Sequence, residues 1–376
     1  METLKVLLYM PASLSEQPIY KEYLEQLAPQ LEDTIHIEIS HAAYHRVAAT
    51  LKKYDVIHVM GAWSSSANHI LLHARQEKLP TVYTPFGGMQ PWVVRQHQHI
   101  YQSILQAKAV KSATVIHVCG NLEQQTLSAL QLNKHVELIK NPVLTSQITW
   151  QEATTQLKML YRKVVDSNVK NMLSKQAATA IGMLLQLGTD TTPLPETEHS
   201  LQLKSMLQDL SQEEWRRMII YAADEHIEDY LRIGLQRLKI APPPICSRSI
   251  DRFAPARKYP DGDLKSDEPI SRNILLRSKI NENIDEDEIN ERKLCIQLLN
   301  LRYETERHIA CLRHLANVYS TLRFCDMDED RMAEIIKAMG LTDFALSIMQ
   351  RLHDLMGLTE GFMIQIKPSH VQTKTA

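Results

Sequence analysis

A chain of 376 residues exceeds the usual size of one hydrophobic core, so two or more domains are expected, each with ample apolar residues to bury. Acidic and basic residues almost cancel, leaving a formal net charge of −2, which excludes the strong basic field of a nucleic-acid binder or a highly cationic membrane protein. Cys119, Cys246, Cys295, Cys311 and Cys325 are scattered without a C-x-x-C pair, and no secretory signal pattern opens the chain. No apolar run nears the roughly 20 residues that cross a bilayer. The expectation is a cytoplasmic protein whose membrane contact is at most peripheral, at the inner face.

The first part alternates β-rich runs with amphipathic ones. Residues 4–10, 35–39, 55–60, 81–84, 113–119 and 136–139 read as strands, with helices near 17–31, 42–53, 66–77, 92–112 and 120–130 between them. Nearly continuous apolar strands such as Val56-Ile57-His58-Val59 belong to a parallel sheet covered on both faces. The fold class is α/β: a Rossmann-like parallel sheet over 1–145, followed by a mostly α-helical region.

After Asn141-Pro142 the pattern becomes helical, with elements expected at 147–165, 169–187, 201–210 and a long helix from Ser211 to about Leu238. Ser211 and Glu214 have the spacing of a capping box. Residues 146–240 are thus expected as a helical domain. Residues 241–280, which contain Pro242-Pro243-Pro244, Pro255, Pro260 and Asp261-Gly262-Asp263, read as a linker or extended arm. A C-terminal helical domain, 281–376, opens on the acidic run 282–291 and continues with helices near 288–302, 304–323, 326–339 and 342–356.

In a doubly wound sheet, ligands gather where strand carboxyl ends meet the following helices. This rule selects Gly61-Ala62-Trp63-Ser64 and the long loop 84–92, in which Gly87 and Gly88 lie between prolines ahead of Trp92. The loop either lets backbone approach a ligand beside an aromatic face, or is a tight turn with a tryptophan closing the core. Ser64 either presents helix amides to an anion or simply caps the helix. Elsewhere, Asp224-Glu225-His226-x-Glu228-Asp229 reads as a solvated helix face, and His308, Cys311 and His314 as ordinary helix packing. Asp326–Asp330 reads as an acidic helix start. No metal site is expected.

Four segments in order carry a resemblance. They are Tyr54-Asp55-Val56-Ile57-His58-Val59-Met60-Gly61-Ala62-Trp63-Ser64; Thr84-Pro85-Phe86-Gly87-Gly88-Met89-Gln90-Pro91-Trp92 with Arg95; Val115-Ile116-His117-Val118 with Asn121-Leu122-Glu123; and Ile139-Lys140-Asn141-Pro142-Val143. Together they resemble the acceptor domain of family-4 retaining GT-B glycosyltransferases, over somewhat more than a third of the chain. The resemblance implies half of a GT-B fold and an acceptor site built from Gly61, Trp63, Ser64, Gly87, Gly88, Trp92 and Arg95. It also implies a role in surface-polysaccharide assembly, with a nucleotide sugar as co-substrate, no other cofactor, and a sugar or lipid-linked acceptor.

The chain also departs from that pattern. Pro11-Ala12-Ser13-Leu14 replaces the family's Gly-Gly loop, and Met60 and Phe86 occupy positions where histidines often stand. No two glutamates have seven residues between them, as the family's donor half has. No catalytic residue is therefore named. Two functions stay open: a glycosyltransferase, or a non-catalytic interaction subunit that binds a protein partner through its helical half.

Overall fold

The computed structural model describes residues 4–97, 100–190, 192, 198–244, 250–253 and 273–366. They form two compact units, the first holding the residues up to Met172 with 250–253, the second the remaining described residues from Leu173 onward.

The first unit is built on six parallel strands: β1 (Leu4–Tyr9), β2 (Ile35–Ser40), β3 (Val56–Met60), β4 (Thr81–Thr84), β5 (Val115–Val118) and β6 (Val136–Leu138). Their order is β2-β1-β3-β4-β5-β6, so the winding direction reverses between β1 and β3. All six strands expected from the sequence are present, and the parallel, Rossmann-like sheet followed by helices is the architecture observed. Strands β3, β4 and β5 are buried at every position, whereas the edge strand β2 alternates and β6 is half-buried. The central strands therefore needed continuous apolar runs, because helices cover both of their faces.

The pleat sorts side chains into two cores. On one side Leu4, Val6, Leu8, Val56, Met60, Val82 and Val115 meet the helices Pro18–Glu32 and Trp150–Asp166. On the other, Leu7, Tyr9, Ile57, Val59, Tyr83, Ile116 and Val118 meet Ser65–Gln76, Ile100–Ser112 and Asn121–Leu130. The helix Trp150–Asp166 starts at a capping box between Thr149 and Glu152 and packs on β3 and β4. It belongs with the sheet, although the sequence reading ends the first domain at 145. Phe253, inside the stretch read as a linker, also joins this unit, stacking on His135 at 4.5 Å beneath the Lys163 ammonium. Most of that stretch, 245–249 and 254–272, lies outside the described residues, and its end forms the helix Ile274–Asn283.

The second unit is helical. Its central element, Lys175–Thr189, is apolar around most of its circumference, as a helix surrounded by others must be. Three glycines let backbones meet there. A Cβ on Gly182 would lie 2.1 Å from the Leu355 carbonyl oxygen, and one on Gly188 would lie 2.1 Å from that of Tyr230. Gly234 in turn approaches Leu184.

Several helices break where sequence periodicity runs on. The capping box at Ser211 is formed, yet its helix stops at Asp224 and a second one runs Glu228–Leu238. Between them His226 takes a left-handed backbone at φ 56°, Ile227 is fully buried, and the Glu225 carboxylate accepts the Leu312 amide at 2.8 Å. Tertiary demand overrides local propensity. Likewise 169–187 divides at Ser174, whose side chain caps Lys175–Thr189. The element expected from 304 begins at Leu312, because the preceding helix continues to Glu306.

Gly188→Ala should destabilise the second unit by about 1–3 kcal/mol or more, since the added methyl meets unyielding backbone. Gly361→Ala, whose Cβ meets no atom within 4 Å, should change stability by less than about 0.5 kcal/mol. Urea unfolding of the two variants checks both.

Candidate functional site

At the carboxyl end of the sheet, the loops after β3, β4 and β5 and the turn after β1 enclose a cavity of about 520 Å³. Its position follows the general rule for doubly wound sheets, whose ligands sit beside the reversal of strand order. Gly61, Trp63, Gly87 and Gly88, selected from the sequence, line it together with Tyr20, Phe86, Gln90, His97, Cys119 and Glu123.

The walls are held by backbone that few residues tolerate. Gly61 and Gly87 have φ of 94° and 80°, and the non-glycine residues Trp63 and Phe86 also adopt positive φ, 59° and 50°. Each strained conformation has partners that hold it in place. The Trp63 indole donates to the Gly88 carbonyl at 2.7 Å and stacks on His97 at 4.3 Å, and its amide donates to Gln106. Phe86 is gripped by Tyr20 and Tyr23, each with its ring centroid 5.2 Å away. Gly88 sits against Ala62, so close that a Cβ would lie 2.3 Å from its methyl.

The remaining sequence candidates take other places. The Ser64 hydroxyl caps the helix Ser65–Gln76, accepting from the Ala67 amide. Trp92 and Arg95 are exposed on the short helix Pro91–Gln96 and are not among the cavity-lining residues. The helix expected over 92–112 ends at Gln96, and its second part resumes at Ile100. His97, at the break, stacks on Trp63 and accepts the Ser103 hydroxyl on its carbonyl.

Glu123 organises the glycine loop. Its two carboxylate oxygens accept the amides of Gly87 and Met89, each at 3.0 Å, while the residue itself is buried. Burial pushes its pKa up, and the two amide hydrogen bonds oppose that rise. Burial also pushes the neighbouring Cys119 thiol up, so it is protonated and a poor nucleophile at neutral pH.

Beneath the loop runs a buried hydrogen-bond chain. His58, Thr84 and His117 share the pleat face that helix Trp150–Asp166 covers. The Tyr161 hydroxyl lies 2.7 Å from His58 Nδ1, His58 Nε2 2.7 Å from Thr84 Oγ1, and Thr84 Oγ1 2.8 Å from His117 Nδ1. His117 Nε2 ends the chain 3.0 Å from the Ile139 carbonyl. A carbonyl only accepts, so His117 donates there and must accept from Thr84. Thr84 then accepts from His58, and His58 accepts from Tyr161. Every proton has one place, and both imidazoles are neutral. Burial lowers His58 well below the ordinary value, with the nearby His117 adding to the effect, and burial takes His117 down to about 4 against a weaker opposing bond to Ile139.

In the second unit, the ligand-type clusters noted in the sequence act as structural joints. Asp229 pairs with Arg313 at 2.5 Å, and Glu225 caps the helix Leu312–Phe324. The His314 imidazole lies 2.6 Å from Glu304 and 3.2 Å from the Cys311 sulfur. Burial opposes its charge, but Cys311 and Glu304 outweigh burial and hold it up at about 9. Asp328 caps the helix Glu329–Ala338. Among the described residues, no three His, Cys, Asp or Glu side chains gather as a metal site requires, and no helix is long and apolar enough to cross a membrane.

The chain matches no protein-family model, no curated protein and no solved structure.

Two predictions follow from these buried groups. His58 and His117 stay neutral in the folded state while the unfolded chain takes up protons below about pH 6.5. Stability should therefore fall from about pH 6.5 towards pH 4, with each histidine contributing a slope approaching about 1.4 kcal/mol per pH unit. Unfolding measured across this range should show a shallower slope for His117→Gln. Separately, Glu123→Gln turns an amide donor towards Gly87 or Met89 and should cost about 1–3 kcal/mol. Thermal unfolding at neutral pH measures that loss.

Proposed function

We propose that the first unit is a saccharide-binding domain of glycosyltransferase-like type, and that the chain serves glycan assembly as a non-catalytic subunit presenting an acceptor. The observation that carries this reading is the character of the cavity wall. Glycine at Gly61, Gly87 and Gly88 brings side-chain-free backbone to the cavity, its peptide groups already paired within the protein, while Trp63, Tyr20 and Phe86 supply aromatic surface and Gln90 and His97 add polar side chains. Sugar rings, with apolar C–H faces and peripheral hydroxyls, suit such a wall.

Among the described residues no lysine or arginine lines the cavity, so none of them offers there the cationic stabilisation that a departing diphosphate requires. Every strand among the described residues lies in the first unit, and the second unit contributes helices alone. Those helices are the proposed surface for a protein partner, with an active glycosyltransferase the partner that the resemblance implies.

A catalytic reading has one specific observation in its favour. Glu123 is a carboxyl group at the cavity whose pKa is raised, as a general acid or base requires. Both of its oxygens already hold backbone amides, which favours a positioning role.

Isothermal titration with a panel of neutral oligosaccharides and nucleotide sugars, run beside a donor-hydrolysis assay, tests the proposal. The expected result is oligosaccharide binding without donor turnover, lost at least ten-fold in Gly88→Leu, whose side chain would collide with Ala62. Turnover of any nucleotide sugar by the purified chain would replace the non-catalytic reading with the catalytic one. Failure of every saccharide to bind would end both.

A further inference from the structure

The helix Ile100–Ser112 is unusual in carrying apolar residues on both sides. Its inner side, with Gln106, Ala109 and Val110, is buried against the sheet unit. Its outer side holds Ile100, Tyr101 and Ile104, which are 77%, 71% and 49% exposed. At 3.6 residues per turn, these three fall with Lys108 and Lys111 inside one arc of about 100°, opposite the buried set. A helix that only needed to cover the sheet would carry polar residues there.

Charge around this stripe has one sign. From Lys78 to Leu122 the sequence contains no aspartate or glutamate, while Arg95, Lys108 and Lys111 are exposed. The helix packed beside it, Ser65–Gln76, carries no acid either. Trp92, 52% exposed, lies on the preceding short helix, which the hydrogen bond from Ser103 to the His97 carbonyl ties to this one. Exposed isoleucines and a tyrosine sharing one arc with two lysines are the residue types that settle into the headgroup boundary of a bilayer.

We infer that the outer face of Ile100–Ser112 is a docking surface for an anionic lipid bilayer. Ile100, Ile104 and the Tyr101 ring enter the headgroup layer, and Lys108 and Lys111 meet lipid phosphates. His97 both lines the cavity and joins this helix through Ser103, so the docking helix is linked directly to the cavity wall. The inference stands on exposure and charge and holds whatever the cavity binds.

Flotation of the full chain with vesicles tests it, comparing phosphatidylcholine alone with phosphatidylcholine mixed with phosphatidylglycerol. The expected result is binding to the anionic vesicles, at least ten-fold weaker to the neutral ones, and weakened by added salt. The triple variant Ile100→Ser, Tyr101→Ser, Ile104→Ser and the pair Lys108→Glu, Lys111→Glu should each lose at least ten-fold. Their unchanged circular dichroism would show that folding survives, as the exposure of these side chains leads one to expect. Absence of flotation, or flotation unaffected by either variant, would overturn the inference. Self-association that the triple variant abolishes, with vesicles left unbound, would instead assign the stripe to a second copy of the chain.

Discussion

The chain of hydrogen bonds from Tyr161 through His58, Thr84 and His117 to the Ile139 carbonyl constrains the first unit more than any other feature. Four polar side chains buried in an apolar layer cost stability unless every donor finds an acceptor, and here each does. The terminal carbonyl sets the direction of the whole series, because reversing any link would leave two donors or two acceptors facing each other. The series crosses β3, β4 and β5, reaches the segment after β6, and fastens the helix Trp150–Asp166 over them. Sheet order and helix placement are thus specified by a polar device that apolar packing alone would not supply.

The same device supports the cavity. Thr84 is the last residue of β4 and is followed directly by Pro85 and Phe86, which line the cavity wall. With Thr84 fixed by two imidazoles, the loop leaves the sheet at a defined point. Glu123 then holds its far side through Gly87 and Met89. Between these anchors, positive φ at Phe86 and Gly87 turns the chain sharply where it lines the cavity. A loop restrained at both ends is pre-organised, so little ordering entropy is lost when a ligand arrives.

Much of this was legible in the sequence, for reasons that vary by residue. The strands were readable because interior parallel strands must be continuously apolar, and Val56-Ile57-His58-Val59 has no other good use. Gly61, Trp63, Gly87 and Gly88 were reachable because parallel strands bring their carboxyl-end loops together. His58 and His117 gave no signal as a pair, since their connection depends on cross-strand placement and on Tyr161, which lies 103 residues from His58. Glu123 stood in a recognisable segment, but its role needed the three-dimensional meeting of two loops. The helix breaks at 97, 174 and 225–227 follow from contacts made by the folded chain, which helical periodicity does not encode.

The helical unit obeys a different logic, and the contrast bears on function. Its central helix lets Gly182 and Gly188 admit neighbouring backbones, and its polar clusters, Glu225 with Leu312 and His314 with Glu304, are spent on joining helices. Side chains committed to such joints are not free to turn towards a substrate. The cavity of the sheet unit is instead walled by aromatic faces and glycine backbone, with no lysine or arginine among the described residues that line it. A wall of this kind suits ligands that present an apolar face, and the proposed saccharide-binding reading rests on that character. The proposal of a binding role without donor cleavage rests on this contrast between a joint-filled helical unit and an aromatic-walled cavity in the sheet unit.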